Sequence, residues 1–191
     1  MLEDIVISKV RVKLLCLFYS NPTELYHVRD LVRRTNEEIN AVRRELQNLE
    51  KAGILKKEPR GNRLYYWINP SYPLYQELLQ IVSKEEGLGS QIIKNRNRLG
   101  KVNYCVFSGK FVRRMEREED EVDILVVGSV VMVELASLIK AEEEKRGKEI
   151  NYTAMTNEEF EFRKKRRDPF LLGILGNSKV MIIGDEEELI K

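Results

Sequence analysis

The sequence is poor in the residues that build metal centres. Its 191 residues include only one histidine and two cysteines. Cys16 and Cys105 lie far apart, each in an apolar run, and neither has a Cys or His neighbour at ligand spacing. A zinc site of ordinary composition is therefore excluded, and we expect both thiols to be buried in a core.

Long apolar runs and a strong net charge are also lacking. No apolar run approaches the ~20 residues of a transmembrane helix, and no opening segment has the pattern of a secretory signal. We therefore expect a cytoplasmic protein without a membrane partner.

The net charge is only +2 although 34% of the residues are charged, so a nucleic-acid contact depends on where the cations lie. The length suits two small domains, each with its own core.

The first 70 residues predict three helices followed by a hairpin. Helical spacing predicts helices over 8–19, from a Thr23 cap through Val32, and from Ile39 to Leu49, with Gly53 ending the third. His27 is expected to be a partly buried packing residue of the second helix. Alternating residues in 54–57 and 64–68 flank a turn at 59–62. This order is typical of a winged helix, whose second and third helices form the helix-turn-helix.

The outer face predicted for the third helix carries side chains that can recognise base edges. Arginine pairs with guanine, and asparagine or glutamine with adenine. The hairpin adds polar and basic side chains that suit the phosphate backbone or the minor groove. The predicted DNA-binding residues are Asn40, Arg43, Arg44, Gln47, Lys57, Arg60, Asn62 and Arg63. The alternative is that these residues are only the solvated face of a small charged domain.

Two short motifs in this part carry a family resemblance. They are Val28-Arg29-Asp30-Leu31 and the stretch from Leu46 to Leu55, with the hairpin after them. With these motifs, residues 10–70 resemble the winged helices of arsenic-repressor-like regulators. The resemblance implies a homodimer that binds double-stranded operator DNA at two half-sites about one helical turn apart, with Arg43 and Arg44 in the base-reading part. The metal-sensing cysteines of some members are missing, so metal control is not implied.

The second half predicts strands that alternate with helices. Strands are expected at 102–107, 122–127, 150–155 and 180–183, and helices at 131–145, at 158–166 and after Pro169. Residues 73–99 are predicted to form a helical connector. The predicted organisation is therefore a DNA-binding domain in 1–72, a connector in 73–99 and an α/β domain in 100–191. The fold class is α+β with two domains.

A glycine turn and a pair of carboxylates are the chemically suggestive motifs of the second domain. The turn contains Ser108, Gly109 and Lys110, and Glu121 and Asp123 follow at alternate positions of a predicted strand, which puts both carboxylates on one face. Such a pair can hold Mg²⁺ against nucleotide phosphates if a third acid closes the site and the turn offers backbone donors. The alternative is that Glu121 belongs to an acidic surface run and Asp123 merely ends a strand.

Through these motifs, residues 100–185 resemble the minimal nucleotidyltransferase domain of the DNA polymerase beta superfamily. The resemblance implies a mixed sheet, nucleotide contacts at Ser108, Gly109 and Lys110, metal ligands at Glu121 and Asp123, and Mg²⁺ and a nucleotide as cofactors. The chain departs from the family pattern at two positions. Lys110 replaces a small serine, and neutral Asn151 stands where a third carboxylate is usual. We expect the loss of that charge to impair catalysis, and Lys110 is able to bind a phosphate instead.

Joined in this order, the two parts resemble prokaryotic proteins in which a winged helix is fused to a nucleotidyltransferase-like domain. The resemblance implies a sequence-specific DNA-binding transcriptional regulator whose second domain is a non-catalytic sensor or dimerisation domain. The alternative is a magnesium-dependent nucleotidyltransferase that modifies a protein or small molecule and uses the winged helix for docking. A third possibility is a small adaptor that binds a partner protein.

Overall fold

The protein is an α+β chain with two sheets, as expected. The structure is a computed structural model that describes residues 2–191, apart from the side chain of residue 3. The chain divides into two compact units, Met1–Glu85 and Glu86–Lys191. The division falls inside the segment 73–99 that the sequence predicts as a connector. Within residues 2–191, no helix combines the length and the apolar character needed to cross a lipid bilayer.

The first unit combines helices with a small antiparallel sheet. Its helices are α1 (Leu2–Ile5), α2 (Lys9–Ser20), α3 (Val28–Thr35), α4 (Ile39–Lys51) and α5 (Tyr75–Glu85). Its strands are β1 (Tyr26–His27), β2 (Leu55–Arg60) and β3 (Arg63–Ile68), and β3 lies between the other two. The predicted hairpin is confirmed, since β2 and β3 pair in register from Leu55 opposite Ile68 to Arg60 opposite Arg63.

The second predicted helix begins later than its apolar spacing indicates. Thr23 does not cap it, because Tyr26 and His27 form β1 and pair with β3. Helix α3 begins at Val28, and the Nδ1 atom of His27 accepts a hydrogen bond from the N–H of Asp30 at 3.3 Å. His27 is therefore the N-cap of α3, and its ring satisfies a backbone donor that the helix leaves without a partner.

Helix α4 forms as the sequence predicts. Val42, Leu46 and Leu49 are buried along one face, because they recur at helical spacing. A carboxylate oxygen of Glu38 accepts hydrogen bonds from the N–H groups of Asn40 and Ala41, in the first turn of the helix, at 2.8 and 2.9 Å. The helix ends before Gly53, whose φ of +80° is the left-handed conformation that glycine adopts without strain.

A buried carboxylate joins α4 to α2. The side chain of Glu45 is 8% exposed, and it accepts hydrogen bonds from Ser8 Oγ at 3.0 Å and Arg11 Nε at 2.8 Å. Burial raises the pKa of Glu45, but the hydrogen bonds from Arg11 and Ser8 outweigh it and the pKa is lowered overall. Glu45 is therefore a charged tie between two helices of the first unit.

The second unit is built on a mixed sheet. Its strands are β4 (Gly100–Ser108), β5 (Ile124–Val130), β6 (Tyr152–Met155) and β7 (Lys179–Ile183), in the order β6-β5-β4-β7. Strands β5 and β6 are parallel, while β4 is antiparallel to both of its neighbours. Its helices are α6 (Gly87–Lys94), α7 (Gly109–Val112), α8 (Met132–Arg146), α9 (Asn157–Lys165), α10 (Pro169–Gly176) and α11 (Glu186–Ile190).

The core of the second unit lies against this sheet. The buried residues of its main cluster are Val106, Leu125, Val127, Met155, Phe160, Leu171, Met181 and Leu189. Cys105 is also buried in this unit and Cys16 in the first, as expected for core thiols. Strand β5 begins at Ile124, later than predicted, so Glu121 and Asp123 lie in the segment just before the strand. Their positions are therefore set by loop contacts and not by the alternation of a strand.

Candidate functional site

The first candidate surface is the outer face of α4. Asn40, Arg43, Arg44 and Gln47 are all exposed. Glu38 marks the N-terminal end of this face. The backbone N–H groups at the start of the helix hold the pKa of Glu38 below its usual range, and the charges of Arg43 and Arg44 act in the same direction. The predicted recognition side chains therefore share one solvent-facing side of one helix.

The arginines of this face differ from several other cations of the first unit. Arg11, Lys13, Arg33 and Lys57 each form an ion pair with a carboxylate of the same unit. Arg43 and Arg44 form no ion pair with the described side chains, those of residues 2 and 4–191, so an external partner would not have to displace one of these.

The hairpin brings together the other predicted DNA-binding residues, but two of its cations are already engaged. Lys57 Nζ lies 3.0 Å from Glu50 Oε2. Arg60 pairs with Glu58 and stacks over the ring of Tyr65, 5.5 Å from its centroid.

The tip of the hairpin carries the remaining residues of this set. Gly61 takes a φ of +58° in the turn, and Asn62 and Arg63 beside it are exposed. Arg63 has no ion-pair partner in the described part of the chain. It is therefore the hairpin arginine whose charge is most available.

The second candidate site is a cavity of about 440 Å³ in the second unit. It brings together every residue predicted for nucleotide or metal binding. The polar residues of its lining include Ser108, Lys110, Glu121 and Asp123, and its apolar residues include Phe170. The cavity is therefore lined by the glycine turn, by the carboxylate pair and by an apolar wall.

Two of the three backbone donors of the glycine turn are used inside the protein. The N–H of Ser108 donates to the Asp123 carbonyl at 2.8 Å, and the N–H of Gly109 donates to the Ser178 carbonyl at 2.6 Å. Ser108 Oγ accepts from the N–H of Phe111 at 3.1 Å. A Cβ atom on Gly109 would lie 2.5 Å from Ser178 Oγ. Position 109 therefore favours glycine, because a larger side chain would clash with Ser178.

The two carboxylates are also engaged by groups of the same chain. Lys110 Nζ lies 2.7 Å from both carboxylate oxygens of Glu121. This hydrogen bond is the main cause that lowers the pKa of Glu121 and raises the pKa of Lys110. Asp123 is 5% exposed, and its Oδ2 lies 3.0 Å from Arg117 Nε and accepts from the N–H of Asn151 at 2.9 Å.

Sequence reasoning missed the role of Arg117. It lies in the irregular segment between α7 and β5, and nothing in its local pattern indicates that it faces Asp123. Asn151 was identified from the sequence as a neutral residue near the carboxylates, and its amide nitrogen donates to the Glu121 carbonyl at 2.8 Å. Among residues 2 and 4–191, no three His, Cys, Asp or Glu side chains are grouped closely enough to hold a metal ion.

Comparison with known proteins yields little similarity. No family model matches the chain, and no curated protein matches it. Among solved structures, the chain is similar to a possible transcriptional regulator from Methanosarcina mazei Go1, with 13% sequence identity and a TM-score of 0.34. The match covers 49% of this chain and 80% of that chain. A likeness this weak defines neither the fold nor the function.

Proposed function

We propose that this protein is a sequence-specific transcriptional regulator that binds double-stranded DNA. In this proposal the first unit acts as a winged helix, in which α3 and α4 form the helix-turn-helix and the β2–β3 hairpin is the wing. The observation that carries the proposal is the outer face of α4, where Asn40, Arg43, Arg44 and Gln47 are exposed and the opposite face is buried.

This face has the chemistry that base recognition requires. An α-helix fits the major groove, where arginine pairs with guanine and asparagine or glutamine with adenine, each pair being worth about 1–3 kcal/mol of discrimination. Arg43 and Arg44 would enter the groove without first breaking an internal ion pair. They are therefore the residues to which we assign base recognition.

The wing would contact the phosphate backbone. Arg63 is its available arginine, with Asn62 beside it, while Lys57 and Arg60 already neutralise internal carboxylates. Phosphate contacts set the position of a protein on DNA and carry no sequence information directly. We expect the wing to supply affinity and α4 to supply specificity.

The second unit would act as a non-catalytic sensor or dimerisation domain in a homodimer that binds two half-sites. The ion pairs of Glu121 and Asp123 support the non-catalytic role, because both carboxylates already have cationic partners. The engaged N–H groups of Ser108 and Gly109 support it further, since a phosphate would have to compete with their internal acceptors. Neither observation favours the alternative of a magnesium-dependent nucleotidyltransferase.

Selection from a pool of random duplex oligonucleotides tests the proposal. The full chain is expected to enrich one sequence, and Arg43→Ala or Arg44→Ala should each relax the preference at one base position. Lys140→Ala, which removes an exposed cation from the second unit, is the control and should select the same sequence as the wild type. A wild-type chain that enriches no sequence would exclude this function.

A further inference from the structure

Two basic side chains of the second unit contact the two carboxylates of the cavity, Lys110 at Glu121 and Arg117 at Asp123. Carboxylates that line a cavity are ligands that Mg²⁺ prefers, and the metal then neutralises their charges. In this chain the charges are neutralised from within. We infer that Lys110 and Arg117 are built-in counter-ions that replace a divalent metal ion at Glu121 and Asp123. The cavity therefore binds its ligand without a divalent metal ion.

Lys110 contacts the whole carboxylate of Glu121. The ammonium nitrogen is 2.7 Å from both carboxylate oxygens, and one of these oxygens also accepts from the N–H of Glu118 at 2.8 Å. An ammonium in contact with both oxygens takes the place and the charge of a bound cation. A metal ion chelated by both oxygens of Glu121 would have to displace Lys110.

Asp123 is buried beside the guanidinium of Arg117. Its side chain is 7% exposed, and Arg117 Nε lies 3.0 Å from Oδ2, the same oxygen that accepts from the N–H of Asn151. The side chain of Arg117 is only 19% exposed. A divalent ion at this oxygen would lie close to a largely buried guanidinium, and repulsion between two positive charges opposes that arrangement.

The side chain of Asn151 also opposes metal binding in this cavity. Its amide nitrogen donates to the Glu121 carbonyl at 2.8 Å and so fixes the segment that carries both carboxylates. A carboxylate at position 151 could not donate this bond and would oppose the carbonyl oxygen. The position is therefore built for a neutral donor, and a third metal-binding acid does not fit there.

The consequence concerns how this cavity holds a ligand. A ligand would contact the protein's own groups, with no metal ion bridging it to Glu121 and Asp123. This inference is independent of DNA binding, because every residue that it uses belongs to the second unit.

Direct titration with Mn²⁺ tests the inference. Free Mn²⁺ is followed by electron paramagnetic resonance in solutions of the full chain, of a Lys110→Met/Arg117→Met double variant that removes both counter-ions, and of the control Lys101→Met, which removes an exposed charge from β4. We expect no saturable binding by the wild type or the control up to about 1 mM, and saturable binding at about 0.1 mM or below by the double variant. Adding Asp123→Asn to the double variant should abolish that site.

The results that would overturn the inference are equally specific. One is a wild-type chain that binds Mn²⁺ as tightly as the double variant. The other is a folded double variant that binds it no more tightly than the control. If circular dichroism shows that the double variant is unfolded, Lys110→Gln/Arg117→Gln, which removes both charges but keeps hydrogen-bond donors, replaces it in the same titration.

Discussion

Replacing Glu45 by alanine should destabilise the first unit and leave its proposed DNA preference intact. The change removes two hydrogen bonds that tie α4 to α2, one of them to the charged Arg11. Such bonds contribute roughly 1 kcal/mol to neutral partners and about 1.5–3 kcal/mol to charged ones. Because Arg11 is 40% exposed and regains water when Glu45 is lost, we expect a net loss of about 2 kcal/mol.

This loss should be visible as a shift in melting temperature. For a unit of this size, 1 kcal/mol corresponds to about 4–8 °C, so the transition of the first unit should fall by about 10 °C. The assay is differential scanning calorimetry of the full chain at neutral pH. Arg43→Ala is the matched control, because Arg43 is exposed on the same helix and its removal should change stability by no more than about 0.5 kcal/mol.

A double-mutant cycle attributes the effect to the ion pair. The cost of Glu45→Ala should be smaller in a chain that already carries Arg11→Ala, with a coupling energy of about 1 kcal/mol. If Glu45→Ala melts within about 2 °C of Arg43→Ala, Glu45 does not stabilise the unit as reasoned. Below its melting temperature, the Glu45 variant should select the same DNA sequence as the wild type, because Glu45 lies on the buried face of α4.

Further predictions concern salt, pH and packing. Arg63→Ala should reduce the slope of log Kd for DNA against log salt concentration by about 0.9. Arg60→Ala should reduce this slope less, because Arg60 is already paired with Glu58. Equal reductions in the two variants would contradict this reasoning. The stability difference between wild type and Glu45→Ala should be full above pH 4.5 and should shrink as the pH falls through the lowered pKa of Glu45, because protonation removes the contribution of the charged carboxylate. A difference that stays constant in acid would contradict this linkage. Gly109→Ala should destabilise the second unit by about 1–3 kcal/mol in thermal unfolding, because the added methyl group meets Ser178. Ser178→Gly should restore the lost stability. If Gly109→Ala leaves the stability unchanged, packing does not require the glycine.

The sequence was sufficient for the features that depend on neighbours along the chain. The helical spacing of Val42, Leu46 and Leu49 predicted α4, and Gly53 predicted its end, because a helix buries one face and a left-handed residue closes it. The β2–β3 hairpin was predictable for the same reason, since a turn lies between two alternating segments. The cavity residues Ser108, Gly109, Lys110, Glu121 and Asp123 could likewise be listed from the sequence as one group.

Tertiary structure decided what these residues do. Strand β1 could not be predicted, because Tyr26 and His27 become a strand only through β3, far along the chain. The ion pairs of Lys110 with Glu121 and of Arg117 with Asp123 join residues that no local period relates. The sequence by itself determined which charges are present near the cavity and on α4. Only the folded chain decided which of them neutralise each other and which face solvent, because ion pairing depends on distances in space that folding alone sets.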